Sequence, residues 1–214
     1  MGLTVTHIAA GVALAHARMA TLEQELNAAD SRLGDGDTGG MLRRVLDLMA
    51  AQRMDGIDDV GVSLGILAKA AAAATGSSLG TLLATGLLTM SKKTKGRTEV
   101  PWSELAPLLE QARDAVMARG GAKLGDKTVV DALDAVSSAV AGAGDQAAIR
   151  ARAVAACDEA LVRFRNEPCR MGRARMYADK SIGMDDPGML AFARPSRASV
   201  GVVREARSAC WTRQ

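Results

Sequence analysis

Apolar residues recur at alternating steps of three and four through seven successive stretches of this chain, and this periodicity restricts it to packed α-helices. The first stripe runs Val5, Ile8, Val12, Ala15, Met19, Leu22 and Leu26. The second takes Leu42, Val45, Leu46 and Met49 and fades near Met54 to Gly56, and the third, from about Asp59 to Ala73, takes Val60, Leu64, Leu67 and Ala71. A fourth starts around Ser77 with Leu79, Leu82, Leu83, Leu87 and Met90. Pro101 is expected to open a fifth, which carries Leu105, Leu108, Leu109, Ala112 and Val116 and stops at Gly120 and Gly121. The sixth starts at Thr128 with Val129, Leu133, Val136 and Val140, and the seventh carries Ile149, Ala153, Ala156, Ala160 and Phe164. Past Pro168 a helical turn or two is expected from Met171 to Lys180, then a polar turn, then a short eighth helix from Pro187 to about Ala193 that Pro195 breaks. No β-strand is predicted.

Aromatic residues make up only 2% of a chain that is 48% hydrophobic, so the core must be built from Ala, Leu, Val, Ile and Met, which favours helix packing over a β-sandwich. The expected fold is all-α: one domain over residues 1–214, an up-and-down antiparallel bundle or barrel of about eight helices, with its motifs within residues 26–188 and a tail or helix over 195–214. If consecutive helices are antiparallel neighbours, alternate connections share one end. That end collects Asp30 to Gly40, Gly76-Ser77-Ser78, Gly125-Asp126-Lys127-Thr128 and Asp185-Asp186-Pro187-Gly188. The opposite end collects Met54 to Asp58, Ser91 to Val100 and Ala141 to Asp145, which have ordinary linker composition. The reading is one functional end and one plain end.

At the functional end the segment Asp30-Ser-Arg-Leu-Gly-Asp-Gly-Asp-Thr-Gly-Gly40 holds three carboxylates, Asp30, Asp35 and Asp37, among four glycines. Carboxylates roughly 5 Å apart repel by about 3 kcal/mol per pair at an effective dielectric near 20, so an ordered cluster is favoured by cations between them. Magnesium is the first candidate, as a hard ion that takes oxygen ligands and shares them with phosphate. A calcium EF-hand starting at Asp35 would need a Glu where Leu46 stands, and a plain Asp/Gly turn is the remaining alternative. The second, fourth, sixth and eighth helices start at this end, so their free N–H groups and positive dipole ends suit phosphate. Ser77 or Ser78, Thr128 with Asp131, and Asp186 before Pro187 also read as helix caps, while Lys127 draws more attention in its loop.

Several functions are disfavoured. The net charge is only +3 and scattered, which gives nucleic-acid binding little support, and the basic run Lys92 to Arg97 reads as a solvated loop. Cys157, Cys169 and Cys210 lack zinc-ligand spacing and read as reduced thiols. His7 and His16 both lie on the first helix, far in sequence from every candidate loop, so nucleophilic catalysis through histidine is disfavoured. Neither a Walker-type nor a dinucleotide glycine motif is present. No apolar run approaches a membrane span, and the protein is expected to be soluble and cytoplasmic.

Taken together, the motifs resemble a known family. Leu26-Asn27-Ala28-Ala29-Asp30 leading into Gly34-Asp35-Gly36-Asp37-Thr38-Gly39, then Gly76-Ser77-Ser78, Gly125-Asp126-Lys127-Thr128 with Asp131-Ala132-Leu133, Gly172-Arg173-Ala174, and Lys180-Ser181-Ile182-Gly183 to Asp186-Pro187-Gly188 are similar to the nucleotide-binding L subunit of dihydroxyacetone kinase, an α-helical barrel. The resemblance implies a phosphotransferase subunit that binds ADP or ATP and passes phosphate to dihydroxyacetone or a related hydroxyketone. By it, Asp30, Asp35 and Asp37 would ligate two Mg²⁺ ions, and Thr38, where many members have His, would donate to a phosphate. Gly76, Ser77, Ser78 and Leu79 match the phosphate loop, Gly121, Thr128 and Val129 fall near the nucleotide pocket, and Asp186 matches the last acidic turn. The stretch Arg175-Met176-Tyr177-Ala178-Asp179-Lys180-Ser181 departs from the family pattern, with Lys180 in place of the Arg that contacts phosphates: charge is kept, the two-pronged fork is not. The implied partners are a ketone-binding K subunit and a phosphotransferase-system donor, with a homodimer allowed. ATP as substrate and ADP as retained coenzyme both stay open, and the alternative is a non-catalytic nucleotide-binding regulatory module.

Overall fold

The computed structural model describes residues 1–74 and 78–197. Gly76 and Ser77 of the expected phosphate loop, and the tail from Ala198 to Trp211, lie outside them. Among the described residues eight α-helices follow in order: α1 Val5–Asp30, α2 Thr38–Ala50, α3 Val60–Ala73, α4 Ser78–Thr94, α5 Leu105–Gly120, α6 Val129–Val140, α7 Gln146–Phe164 and α8 over residues 187–197. Each of the first seven packs on its neighbour in sequence, as an up-and-down arrangement requires. Helix α8 closes the array, reaching back to α1 through Arg194–Glu25 (2.8 Å) and to α7 through Arg197–Asp158. No described helix is long and apolar enough to cross a membrane.

The stripes read from the sequence are the faces that pack. Met19, Leu22 and Leu26 of α1 meet Leu42, Val45, Leu46 and Met49 of α2 in one core that also takes Leu67 and Ala71 of α3, Val136 and Val140 of α6 and Ala156 and Ala160 of α7. The side chains are small and the helices approach closely. One such approach is α3 on α4, where a β-carbon at Gly61 would fall 2.6 Å from the Ser91 carbonyl oxygen, with the Lys95 backbone closer still. Ser91 Oγ donates to the Gly61 carbonyl at 2.6 Å across the same contact.

The structure departs from the sequence reading at three places. Pro101 does not open α5: Val100–Pro101 forms a short strand, β2, antiparallel to β1 (Gly2–Leu3), and a 3₁₀ turn, Trp102–Glu104, precedes α5. Pairing with distant Gly2 and Leu3 holds Pro101 extended, a conformation its fixed φ allows. Beyond α7, Ala174–Ser181 is 3₁₀ with a non-helical kink at Ala178. Helix α8 continues through Pro195, because the flanking Arg194 and Arg197 are anchored to α1 and α7 and offset the loss of one backbone donor.

The buried α3/α4 crossing generates a stability test. Gly61→Ala forces two backbones apart and should cost about 1–3 kcal/mol, measured by urea unfolding. Gly11→Ala, on an α1 face where a β-carbon meets nothing within 4 Å, should be neutral or slightly stabilising.

Candidate functional site

The site is built where α1 hands over to α2. Asp30, the last residue of α1, is buried, and its Oδ2 accepts the backbone N–H groups of Asp37 (2.9 Å) and Thr38 (3.2 Å). One turn earlier, Asn27 Oδ1 accepts from Gly39 (2.7 Å) and Gly40 (3.2 Å). The free N–H groups at the start of α2 are therefore capped by side chains of α1 instead of by Asp37, which makes no capping bond of its own. The glycines are what permit this: a β-carbon at Gly39 would strike the Glu23 carbonyl, and one at Gly34 would strike the Asp30 carboxylate. Gly36 sits at φ +78°, in the left-handed region.

Folded this way, one carboxylate oxygen from each of Asp30, Asp35 and Asp37 lies within 4.8 Å of the others. Asp35 and Asp37 are exposed, and the Asp35 carboxylate is ion-paired with Arg173 from the segment after α7. Three hard oxygen donors on one side of a cavity suit a magnesium ion, and the bare Gly34 beside Asp30 leaves the carboxylate room.

The carboxylates border a cavity of about 550 Å³, within the range of small-molecule sites. Its wall includes the first residues of α2 (Thr38), α4 (Ser78, Leu79), α6 (Val129, after Thr128) and α8 (Pro187, Gly188). The end collecting alternate connections is thus where four helix starts meet. Another part of the lining is apolar, with Leu82, Val116, Ala122, Val130 and Met171 clustered together.

Asp30, Asp35, Asp37, Thr38, Ser78, Leu79, Thr128, Val129 and Asp186 all line this cavity. Among the described residues, two expected ones do not. Gly121 ends α5 in the left-handed conformation, φ 74°, between the lining residues Gly120 and Ala122. Lys180 is exposed at the far end of the 3₁₀ segment, off the cavity wall, and the cation on that wall from the connection after α7 is Arg173. Arg173 and Asn27 stood inside motifs already recognised but had been given no role. The signal was available: Asn27 is one helical turn before Asp30, and Arg173 follows α7 in a connection at the functional end.

The caps expected at Thr128 with Asp131 and at Asp186 are present too. Thr128 Oγ1 accepts from Val130 N–H at 3.2 Å, and the buried Asp131 accepts from Thr128 N–H at 2.7 Å and Gly125 N–H at 2.6 Å. Asp186 Oδ1 accepts from Met189 N–H at 2.8 Å at the start of α8. Burial pushes the Asp186 carboxyl up from 3.8 to about 6, against the lowering pull of the Met189 amide and the Lys127 charge. The histidines belong elsewhere: His7 closes a cap with Thr4, and His16 bonds Asp47 at 2.8 Å.

The geometry defines a class: an all-helical module with an acidic, oxygen-donor cluster facing several helix N-termini across one cavity. The DAK2 domain family matches residues 32–198, and the chain belongs to that family. Over 82% of the chain it is 31% identical to an L-erythrulose 1-kinase of Mycolicibacterium smegmatis, of which it covers 32%. Over 78% of the chain it is 26% identical to the ADP-binding subunit DhaL of the PEP-dependent dihydroxyacetone kinase of Escherichia coli, of which it covers 82%. The chain thus spans about a third of the first kinases it matches but most of the DhaL subunit. The dihydroxyacetone kinase of C. freundii in complex with AMP-PNP and Mg²⁺ shares the fold, with a TM-score of 0.68 at 21% identity over 94% of this chain and 35% of that one. The resemblance read from the sequence and the all-α fold it implied are both borne out.

Asp186 supplies a pH test. With its carboxyl at about 6 in the folded protein and 3.8 as the ordinary value, the folded state holds this proton more tightly than the unfolded chain. Its contribution is fully present below pH 3.8 and is lost as pH rises through about 6, a change on the order of 3 kcal/mol. Asp186→Asn should therefore gain stability relative to the wild type between pH 4 and 7, measured by urea unfolding at each pH.

Proposed function

We propose that this chain is the nucleotide-binding module of a kinase of the dihydroxyacetone type, holding a magnesium nucleotide at Asp30, Asp35 and Asp37 and presenting its terminal phosphate to a small hydroxyketone carried by a K-type partner. The observation that carries the reading is the convergence of three carboxylates and four helix starts on one cavity. The names of the relatives, erythrulose and dihydroxyacetone kinases and an ADP-binding subunit, support the same chemistry.

Asp30, fixed by two amide donors, would orient its free oxygen toward the cation, while Asp35 and Asp37 complete the donor set, with two ions as the expected number. Magnesium, when bound, supplies neutralisation of phosphate charge. The helix starts and the Thr38 and Ser78 hydroxyls offer donors to phosphate oxygens, and the apolar wall around Val116, Val130 and Met171 suits the nucleobase. Arg173 is suited to leave Asp35 for a phosphate oxygen, because a guanidinium presents paired donors to an oxyanion. Phosphoryl transfer asks a protein mainly for position and charge, and this set of residues supplies both.

Calorimetric titration with ADP, with and without Mg²⁺, tests the reading. The wild type should bind ADP in a magnesium-dependent way, Asp35→Asn should weaken it at least tenfold, and Arg173→Ala should weaken it by a comparable factor. Binding that ignores magnesium, or no binding at all, would sink the proposal.

A further inference from the structure

Lys127 has no part in the cavity wall, yet among the described residues it is the largest side chain that is fully buried. Lysine is almost never hidden from water unless all of its charge is satisfied. Here Nζ donates to three backbone carbonyls: Arg165 at 3.1 Å, Glu167 at 2.7 Å and Ser181 at 3.0 Å. An ammonium has three protons, and each has an acceptor. The backbone at Lys127 is also in the left-handed region, φ 60°, which a residue with a side chain seldom adopts.

The three acceptors are not scattered. Arg165 and Glu167 lie just past the end of α7, Ser181 closes the 3₁₀ segment, and the excursion between them carries Arg173 to the cavity. A single charge thus holds both feet of a loop whose summit reaches Asp35. Further ties at the feet run alongside, among them Cys169 N–H to Ser181 Oγ at 2.8 Å, the Arg165 guanidinium to the Asp185 carboxylate at 2.9 and 3.0 Å, Gly183 N–H to the Arg165 carbonyl at 2.8 Å, and Arg170 N–H to the Asp126 carbonyl at 3.1 Å. The last comes from the residue preceding Lys127. The loop that opens α6 therefore grips the loop that follows α7, and both border the cavity.

We propose that Lys127 is a positioning residue for nucleotide binding: it acts through Arg173, by fixing both ends of the 168–180 loop that presents the guanidinium to the phosphate site. This rests on the nucleotide-binding reading given above. A neutral side chain of similar length, as in Lys127→Met, would remove the ammonium from all three carbonyls, leaving those of Arg165 and Ser181 only the Gly183 and Met184 amides, and would loosen the loop at both feet.

The test is a double-mutant cycle on Mg-ADP affinity, with Lys127→Met, Arg173→Ala and the pair, accompanied by amide hydrogen exchange. Lys127→Met should weaken Mg-ADP about tenfold in the wild-type background and by less than twofold when Arg173 is already Ala, because its effect passes through that side chain. Exchange should accelerate over residues 168–180 and stay unchanged in α1 and α2. Lys127→Gln, which keeps two N–H donors on a shorter stem, should fall between. Equal losses in both backgrounds would overturn the proposal, as would unfolding of both Lys127 variants, which would assign the lysine to the stability of the whole bundle. If the wild type binds Mg-ADP and Arg173→Ala weakens it while Lys127→Met does not, the positioning role alone fails. If the wild type does not bind, the nucleotide reading fails and the positioning role falls with it.

Discussion

The end of one helix capping the start of the next is the interaction on which the candidate site depends. Asp30 and Asn27 use their side-chain oxygens to satisfy the backbone donors of Asp37, Thr38, Gly39 and Gly40. A charged acceptor on a backbone amide is among the stronger hydrogen bonds a protein makes. These bonds set how α2 leaves α1, and so they set where Asp35 and Asp37 stand relative to Asp30. The acidic loop therefore needs no rigid scaffold of its own, because the helix junction beneath it is the scaffold. Its four glycines serve the same junction, two of them by leaving space that a β-carbon would fill.

Parity does the rest. In a series of antiparallel helices each even-numbered member begins at the end where α1 finishes, so four N-termini gather there whatever their sequences. The bundle collects positive dipole ends on one side, and the acidic loop sits among them as a counterweight. A cavity with donors and carboxylates in close proximity favours a ligand that brings both an anion and a cation. The apolar part of the lining, without aromatic rings among the described residues, follows from a composition in which aromatics are only 2%.

The fold and the site were legible in the sequence to different depths. The stripes on α1, α2, α3 and α6 matched the packed faces because a 3.6-residue period is a local property, written wherever a helix buries one side. Pro101 and Pro195 were misjudged because each is governed by a partner elsewhere, the strand at Gly2 and Leu3 in one case and ion pairs to α1 and α7 in the other. The aspartates could be found since clustered charge is itself a signal. Lys180 is the cation the sequence assigns to phosphate, yet Arg173 of the same connection lines the cavity, because position in a connection says which end of the bundle a cation reaches and not which of two cations reaches the wall. Lys127 drew attention by its place, but its three acceptors are backbone atoms 38 to 54 residues away, and carbonyls leave no mark in a sequence.

The short pairing of Gly2–Leu3 with Val100–Pro101 has an architectural consequence. Helix α1 has 26 residues and so spans about 39 Å, which puts this two-strand clasp at the opposite pole from Asp30. The amino terminus is thereby moored to the middle of the chain on the side away from the cavity. Any polypeptide joined ahead of residue 1 would emerge at the pole away from the cavity.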